Sequence, residues 1–158
     1  MLEFALSATV LTGLLVGVFQ IGYTFYAYNV LEYAVRGGAQ YASLKPYDSA
    51  STAPGSAFLT AVQNMVVYGD PNPQAGATPV LNGLAMSNVH VTVTGGSADG
   101  TLAAPVSMTV SISGYRINSV FSTTTLTGRP SVTFPYTGPY TGIPAPLSHS
   151  ASMRDNGQ

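Results

Sequence analysis

The chain has 158 residues, of which 7% are charged, with a formal net charge of −1, 17 Gly, 11 Pro and no cysteine. That charge balance offers no basic footprint for nucleic acid. The lack of cysteine excludes disulfides, thiolate metal sites and thiol catalysis. With about forty residues committed to one N-terminal helix, the remainder suffices for a single small domain.

From Phe4 to Leu31 the sequence FALSATVLTGLLVGVFQIGYTFYAYNVL carries no charged side chain. It exceeds the roughly 20 apolar residues that cross a bilayer as a helix. The helical pattern continues through Glu32 and Arg36 to about Leu44, giving a rod on the order of 65 Å long. The length beyond the bilayer must project into water or pack on protein. A cleavable signal peptide fits poorly, because Met-Leu-Glu is acidic, the apolar stretch is long and no Ala-x-Ala site is evident until after the aromatic stretch.

Within the helix, Gly13 and Gly17 form a small-xxx-small pair that permits close backbone approach between apolar helices. Phe19, Tyr23, Tyr26, Val30 and Tyr33 recur at three- and four-residue steps. This aromatic stripe suits either an anchor at the membrane–water boundary or a helix–helix seam. Glu3 at the mouth of the apolar run is costly if buried alone. It fits a solvated helix N-terminus favoured by the macrodipole, or an ion pair with a free amino terminus during assembly. Glu32 and Arg36 stand four apart in the favourable order for a helix pair. Gly37-Gly38 loosens the helix without ending it; Pro46 stops it.

Residues 43–55 form a Ser/Pro/Ala connector with a bend at Lys45-Pro46. A second helix is expected from Ser56 to about Tyr68, with Phe58, Ala61, Val62, Met65 and Val66 on one face; Gly69-Asp70-Pro71 ends it. Three stretches then alternate with period two. Val89, Val91 and Val93 oppose His90, Thr92 and Thr94. Val106, Met108, Val110 and Ile112 oppose Ser107, Thr109, Ser111 and Ser113. Val132 and Phe134 oppose Ser131 and Thr133. This pattern predicts an antiparallel sheet covered on one side, with residues 95–100 as a hairpin loop. Tyr115, Ile117, Val120 and Phe121 either extend the second strand or begin a fourth. The Thr-rich Ser122–Thr125 patch and the nearby prolines offer acceptors for O-linked sugar.

From Phe134 the chain reads FPYTGPYTGIPAP, with Pro-Tyr-Thr-Gly duplicated at 135–138 and 139–142. Proline blocks central-strand pairing, so the tract is expected to be extended or turn-rich and mobile in a monomer. In a filament it could lie across a neighbour with Tyr136 and Tyr140 as inter-subunit anchors. The expected division is thus a helix at 1–44, a small α+β domain at 45–128 and an extended segment at 129–158.

An enzyme reading has little support. His90 falls on the polar side of a strand and His149 in the tail. Asp48, Asp70, Asp99 and Asp155 stand beside turn or terminal residues. HExxH, GxSxG, phosphate-loop and EF-hand spacings do not occur, so neither catalysis, a metal nor a cofactor is expected. Asp70 and Asp99 read as turn residues rather than calcium ligands.

The N-terminal residues resemble a known family. Leu2-Glu3-Phe4-Ala5-Leu6, the apolar run and Gln20-Ile21-Gly22-Tyr23-Thr24-Phe25-Tyr26-Ala27-Tyr28 resemble the start of TadE-like pseudopilins. Leu31 to Ala42, LEYAVRGGAQYA, resembles the segment before that family's globular part, and Ser150-Ala151-Ser152-Met153-Arg154 its tail. The two central Val-rich strands are similar too. The resemblance implies an α+β, pilin-like fold, a prepilin peptidase that removes a basic leader, and an inner-membrane assembly platform. It implies a bilayer-inserted precursor in a bacterial inner membrane that then enters a cell-surface pilus or secretion machine. It also gives Glu3 a part in processing or subunit alignment. The sequence has no leader with a Gly cleavage position, and its acid stands third rather than fifth. Either two mature residues are missing or processing differs.

The candidate assembly residues are therefore Glu3, Phe4, Gly13, Gly17, Phe19, Tyr23, Tyr26, Tyr33 and Arg36. The expected function is a structural subunit of an extracellular filament for adhesion, a homo-oligomer built through its N-terminal helix. A minor TadE-like subunit that primes or caps a filament of other pilins is the alternative. A membrane-tethered extracellular binding domain is a third reading.

Overall fold

The computed structural model describes residues 2–47, 49, 51–95, 105–119 and 123–140. Helix α1 spans Leu2–Leu44 and runs unbroken through Gly37-Gly38. Its C-terminal half buries Ala27, Leu31, Val35, Ala39 and Ala42, residues three and four apart that share one helical face. Here Gly38 is a packing residue: a Cβ at this position would land on Val66 Cγ2, with the Val62 carbonyl at 3.7 Å. The second helix can cross α1 closely because that side chain is missing.

That second helix, α2 (Ser56–Tyr68), has the expected bounds and ends on Gly69, whose φ of 73° is left-handed and whose N–H donates to the Met65 carbonyl. Glycine takes this conformation without the Cβ penalty other residues meet. The buried residues are Phe58, Val62, Val66 and Val67, while Ala61 and Met65 are only half-buried. Val67 replaces them because the chain doubles back over it. Val80 N–H donates to the Val67 carbonyl at 2.8 Å, and the following turn delivers Leu81 and Leu84 to the core.

A 3₁₀ turn, Met86–Asn88, leads into β1 (Val89–Thr94), followed by β2 (Ser107–Ile112). Strands β3 (Arg116–Asn118) and β4 (Thr123–Thr125) form a separate antiparallel pair, and β5 (Ser131–Pro135) returns to the main sheet. The main sheet is antiparallel in the order β1-β2-β5, with Val91 opposite Val110 and Val110 opposite Val132. The architecture is α+β: a long apolar helix, a short packing helix and a small antiparallel sheet.

Val89, Val93, Met108, Val110 and Ile112 face the core with the two helices, while His90, Thr92 and Thr94 are exposed. On the hydroxyl-rich face Thr109 and Thr133 join their side-chain oxygens at 2.7 Å. One residue departs from the expected alternation: Val106 is 66% exposed rather than core. Its N–H donates to the Thr94 carbonyl, although Thr94 pairs in register with Ser107. Two residues thus meet one, a bulge that shifts the alternation by one place, so Pro105 is buried instead.

The Arg129–Pro130 peptide preceding β5 is cis. Val132 borders one groove with Tyr28 and Glu32, and the N–H groups of Thr137 and Gly138 donate to the Ser43 carbonyl at 3.0 and 2.9 Å. Eleven residues of helix and five of strand each cover about 16 Å, so β5 runs along α1. Rather than hanging loose, the chain from Pro135 to Tyr140 docks on the C-terminal end of α1.

Ile117 belongs to β3 of the β3–β4 pair, and Tyr115 stands just ahead of it, its carbonyl accepting from Leu126 N–H at 2.8 Å; β3 does not join the main sheet. The loop at 96–100, Val120, Phe121, Ser122, the end of the second repeat, His149, Asp48, Asp99, Asp155 and the tail at 150–154 lie outside the described residues.

Candidate functional site

Among the described residues, the N-terminal part of α1 as far as Val18 is largely uncovered by its own chain, and Asn118, Ser119 and Thr124 approach the helix only from Phe19 and Gln20 onward. Phe4, Leu6, Val10, Leu11, Leu14, Leu15, Val18, Phe19 and Ile21 are all more than half exposed. The helix contains a window apolar enough to cross a membrane, and 0% of that window is buried within the chain. Full burial of one such side chain is worth about 1.5–3 kcal/mol. Leaving the whole set in water would cost on the order of 10 kcal/mol or more. Lipid or protein must therefore cover this half.

Its polar side chains are partly self-satisfied. Thr9, Thr12 and Thr24 donate their hydroxyls to the carbonyls of Ala5, Ala8 and Gln20 at 2.9, 2.8 and 3.0 Å. Such i−4 bonding removes the penalty of a bare hydroxyl in hydrocarbon. Glu3 sits exposed in the first helical turn, where the dipole favours an acid.

The two sets of candidate assembly residues lie on different sides of the rod. At about 100° per residue, Phe19, Tyr23, Tyr26 and Tyr33 fall in one sector, turned roughly 140° from the stripe that meets the domain. Gly13 and Gly17 share the rotational position of that buried stripe but lie N-terminal to the domain. A Cβ added to either glycine meets nothing within 4 Å. The aromatic face is notched at Gly22, where Leu15, Val18, Phe19, Tyr23 and Tyr26 border a shallow apolar groove. Arg36 Nη2 lies 3.4 Å from Glu32 Oε1, the expected helix pair, at the solvated end.

Tyr136 and Tyr140 are placed against Tyr47 of their own chain. Tyr47 is fully buried, with ring centroids of Phe58, Tyr136 and Tyr140 at 5.5, 6.4 and 6.2 Å. The Tyr136 hydroxyl accepts from Tyr47 N–H at 3.0 Å and lies within donating distance of the Lys45 and Pro139 carbonyls. Burial pushes the Tyr136 phenol above its ordinary value, partly offset by the Tyr47 N–H. Tyr115 is likewise raised, chiefly by burial and further by Tyr23. The sequence reading missed Tyr47, a lone aromatic in a polar connector whose partners are remote in the chain.

Among the described residues, no three His, Cys, Asp or Glu side chains gather as metal ligands would. Asp70 Oδ1 accepts from Asn72 N–H at 2.8 Å, the bond of a turn-forming aspartate.

Residues 1–40 match the family model described as TadE-like protein. No curated protein matches the chain. No solved structure matches it either. The matched segment is the apolar helix, consistent with a pilin-like structural role and with membrane association through a signal or anchor segment.

Proposed function

We propose that this chain is a structural subunit of an extracellular, pilus-like filament. It would be held in the bacterial inner membrane by α1 and then polymerise through the same helix. The observation that carries the reading is the apolar window of α1, 0% of which is buried among the described residues. In lipid, helices gain no hydrophobic energy by associating, so packing of small residues and polar pairing must drive the exchange. Gly13 and Gly17 supply open backbone for one neighbour, and the aromatic face from Phe19 to Tyr33 supplies a second contact on the other side. Phe4 extends the apolar contact at the N-terminal end. Glu3 aligns subunits by pairing with a neighbouring amino terminus, and Arg36 keeps the Glu32 end of the helix in water. Residues 45–128 and the segment 129–158 form the outer surface. Tyr140 remains at that surface as an anchor for the next copy.

The match to a TadE-like model over residues 1–40 favours a second reading, a minor subunit that starts or caps a filament of other pilins. A prepilin peptidase and an inner-membrane platform would be partners in both cases. Imaging isolated surface fibres together with mass analysis of their protein separates the two. Fibres made mainly of this chain, lost in Glu3→Ala, support the polymer. Its presence only in trace beside another pilin overturns that reading in favour of the minor one.

A further inference from the structure

The β3–β4 hairpin stands apart from the main sheet and faces α1 across grooves at the N-terminal limit of the described domain. Asn118 and Ser119 border a groove with Phe19, Gln20 and Tyr23, and Thr124 borders another with Gln20, Ile21, Thr24, Phe25 and Tyr28. From Phe4 to Phe19 the bare helix rises only about 24 Å, short of the roughly 30 Å of a hydrocarbon core. The core must therefore reach to about Tyr23, level with the hairpin. Tilting the helix shortens its projection and draws the hairpin still closer to the bilayer.

The chemistry at that level fits the boundary. Thr123, Thr124, Thr125 and Arg116 are exposed, and the Thr123 hydroxyl lies 3.1 Å from Asn118 Oδ1. With the Thr123 hydroxyl donating to Asn118, the Thr124 and Thr125 hydroxyls and the Arg116 guanidinium are the donors suited to phosphate oxygens. Tyr23, Tyr26 and Tyr28 ring the helix at the same height, where phenols favour the headgroup layer. We infer that, before assembly, the β3–β4 hairpin is a foot resting on the phospholipid headgroups, with Arg116 and the Thr124 and Thr125 hydroxyls on phosphate. This foot would fix how deeply α1 inserts and hold the domain upright.

The inference rests on α1 being membrane-inserted, but not on polymerisation. Because the chain has no cysteine, single labels can be placed cleanly. Environment-sensitive probes go on Asn118→Cys, Thr123→Cys, Leu11→Cys and Thr94→Cys in the full chain, reconstituted in phosphatidylcholine–phosphatidylglycerol vesicles. The 118 and 123 probes should be quenched by headgroup-labelled lipid and shielded severalfold from an aqueous quencher relative to the 94 probe. The 11 probe should lie in hydrocarbon. A buried 11 probe with 118 and 123 as water-accessible as 94 overturns the foot and leaves the inserted helix standing. A water-accessible 11 probe overturns insertion itself and the foot with it.

Discussion

The Tyr136 hydroxyl sits 3.0 Å from the Tyr47 backbone nitrogen, across 89 residues of chain. This contact ties the strap after β5 to the residue just beyond α1, so the C-terminal end of the helix is closed by the last described segment. Removing the oxygen in Tyr136→Phe deletes bonds to Tyr47 and to the Lys45 or Pro139 carbonyl. Pro139 also accepts from Tyr47 N–H at 3.1 Å, so that donor keeps a partner. The expected loss is about 1–2 kcal/mol, read as a lower denaturation midpoint in detergent. An unchanged midpoint would show that the strap is held by ring packing alone.

Adjacent glycines in α1 should respond very differently to the same change. Gly38→Ala drives a Cβ into Val66 and forces α2 away from α1, for an expected loss of about 1–3 kcal/mol. At Gly37 the nearest atom to an added Cβ is the flexible end of Met65, at 3.9 Å. There Gly37→Ala should be neutral or stabilising, because alanine is the better helix former by about 1 kcal/mol. Circular dichroism melts of both variants check the pair; equal responses would mean the helices do not cross at Gly38.

The bounds of α2, the continuity of α1 and the alternation of β1 and β2 could be read from periodicity, because each reflects neighbours within a few residues. Tyr47, Gly38 and the β3–β4 hairpin could not. Tyr47 gains its meaning from Phe58, Tyr136 and Tyr140, and Gly38 from Val66 on another helix. Val106 kept its apolar identity while the bulge opposite Thr94 turned it outward. At the assembly surface, the aromatic stripe and glycine pair were legible as patterns. Their placement on different sides of the rod required knowing which face the domain covers.

Alkaline pH should destabilise the domain. Tyr115 and Tyr136 both have phenols raised above 10.0 by burial. Above pH 10 the unfolded chain loses these protons first, the native state holds more protons, and stability falls with rising pH. The contribution is fully present below pH 10 and is lost as pH climbs through the raised native values. Melts between pH 8 and 11 should show a flat region followed by a decline. The decline should weaken in Tyr136→Phe, whose remaining titration comes from Tyr115.

Enlarging Gly17 separates assembly from folding. For Gly17→Leu, a Cβ added at Gly17 meets nothing within 4 Å among the described residues, and leucine favours helix over glycine by several tenths of a kcal/mol or more. The monomer should therefore be as stable as the parent or slightly more so. If α1 packs against neighbours through its glycine face, the side chain forces backbones apart and the small-residue contact is lost. Fibre yield should then fall at least tenfold with undiminished membrane-bound precursor, measured by immunoblotting of surface and membrane fractions. Leu11→Ala, turned roughly 140° from the glycine face, controls for a general loss of apolar surface. Normal fibres from Gly17→Leu would move the inter-helix contact to the aromatic face. Normal surface function with no fibres from either chain would favour a tethered domain over a polymer.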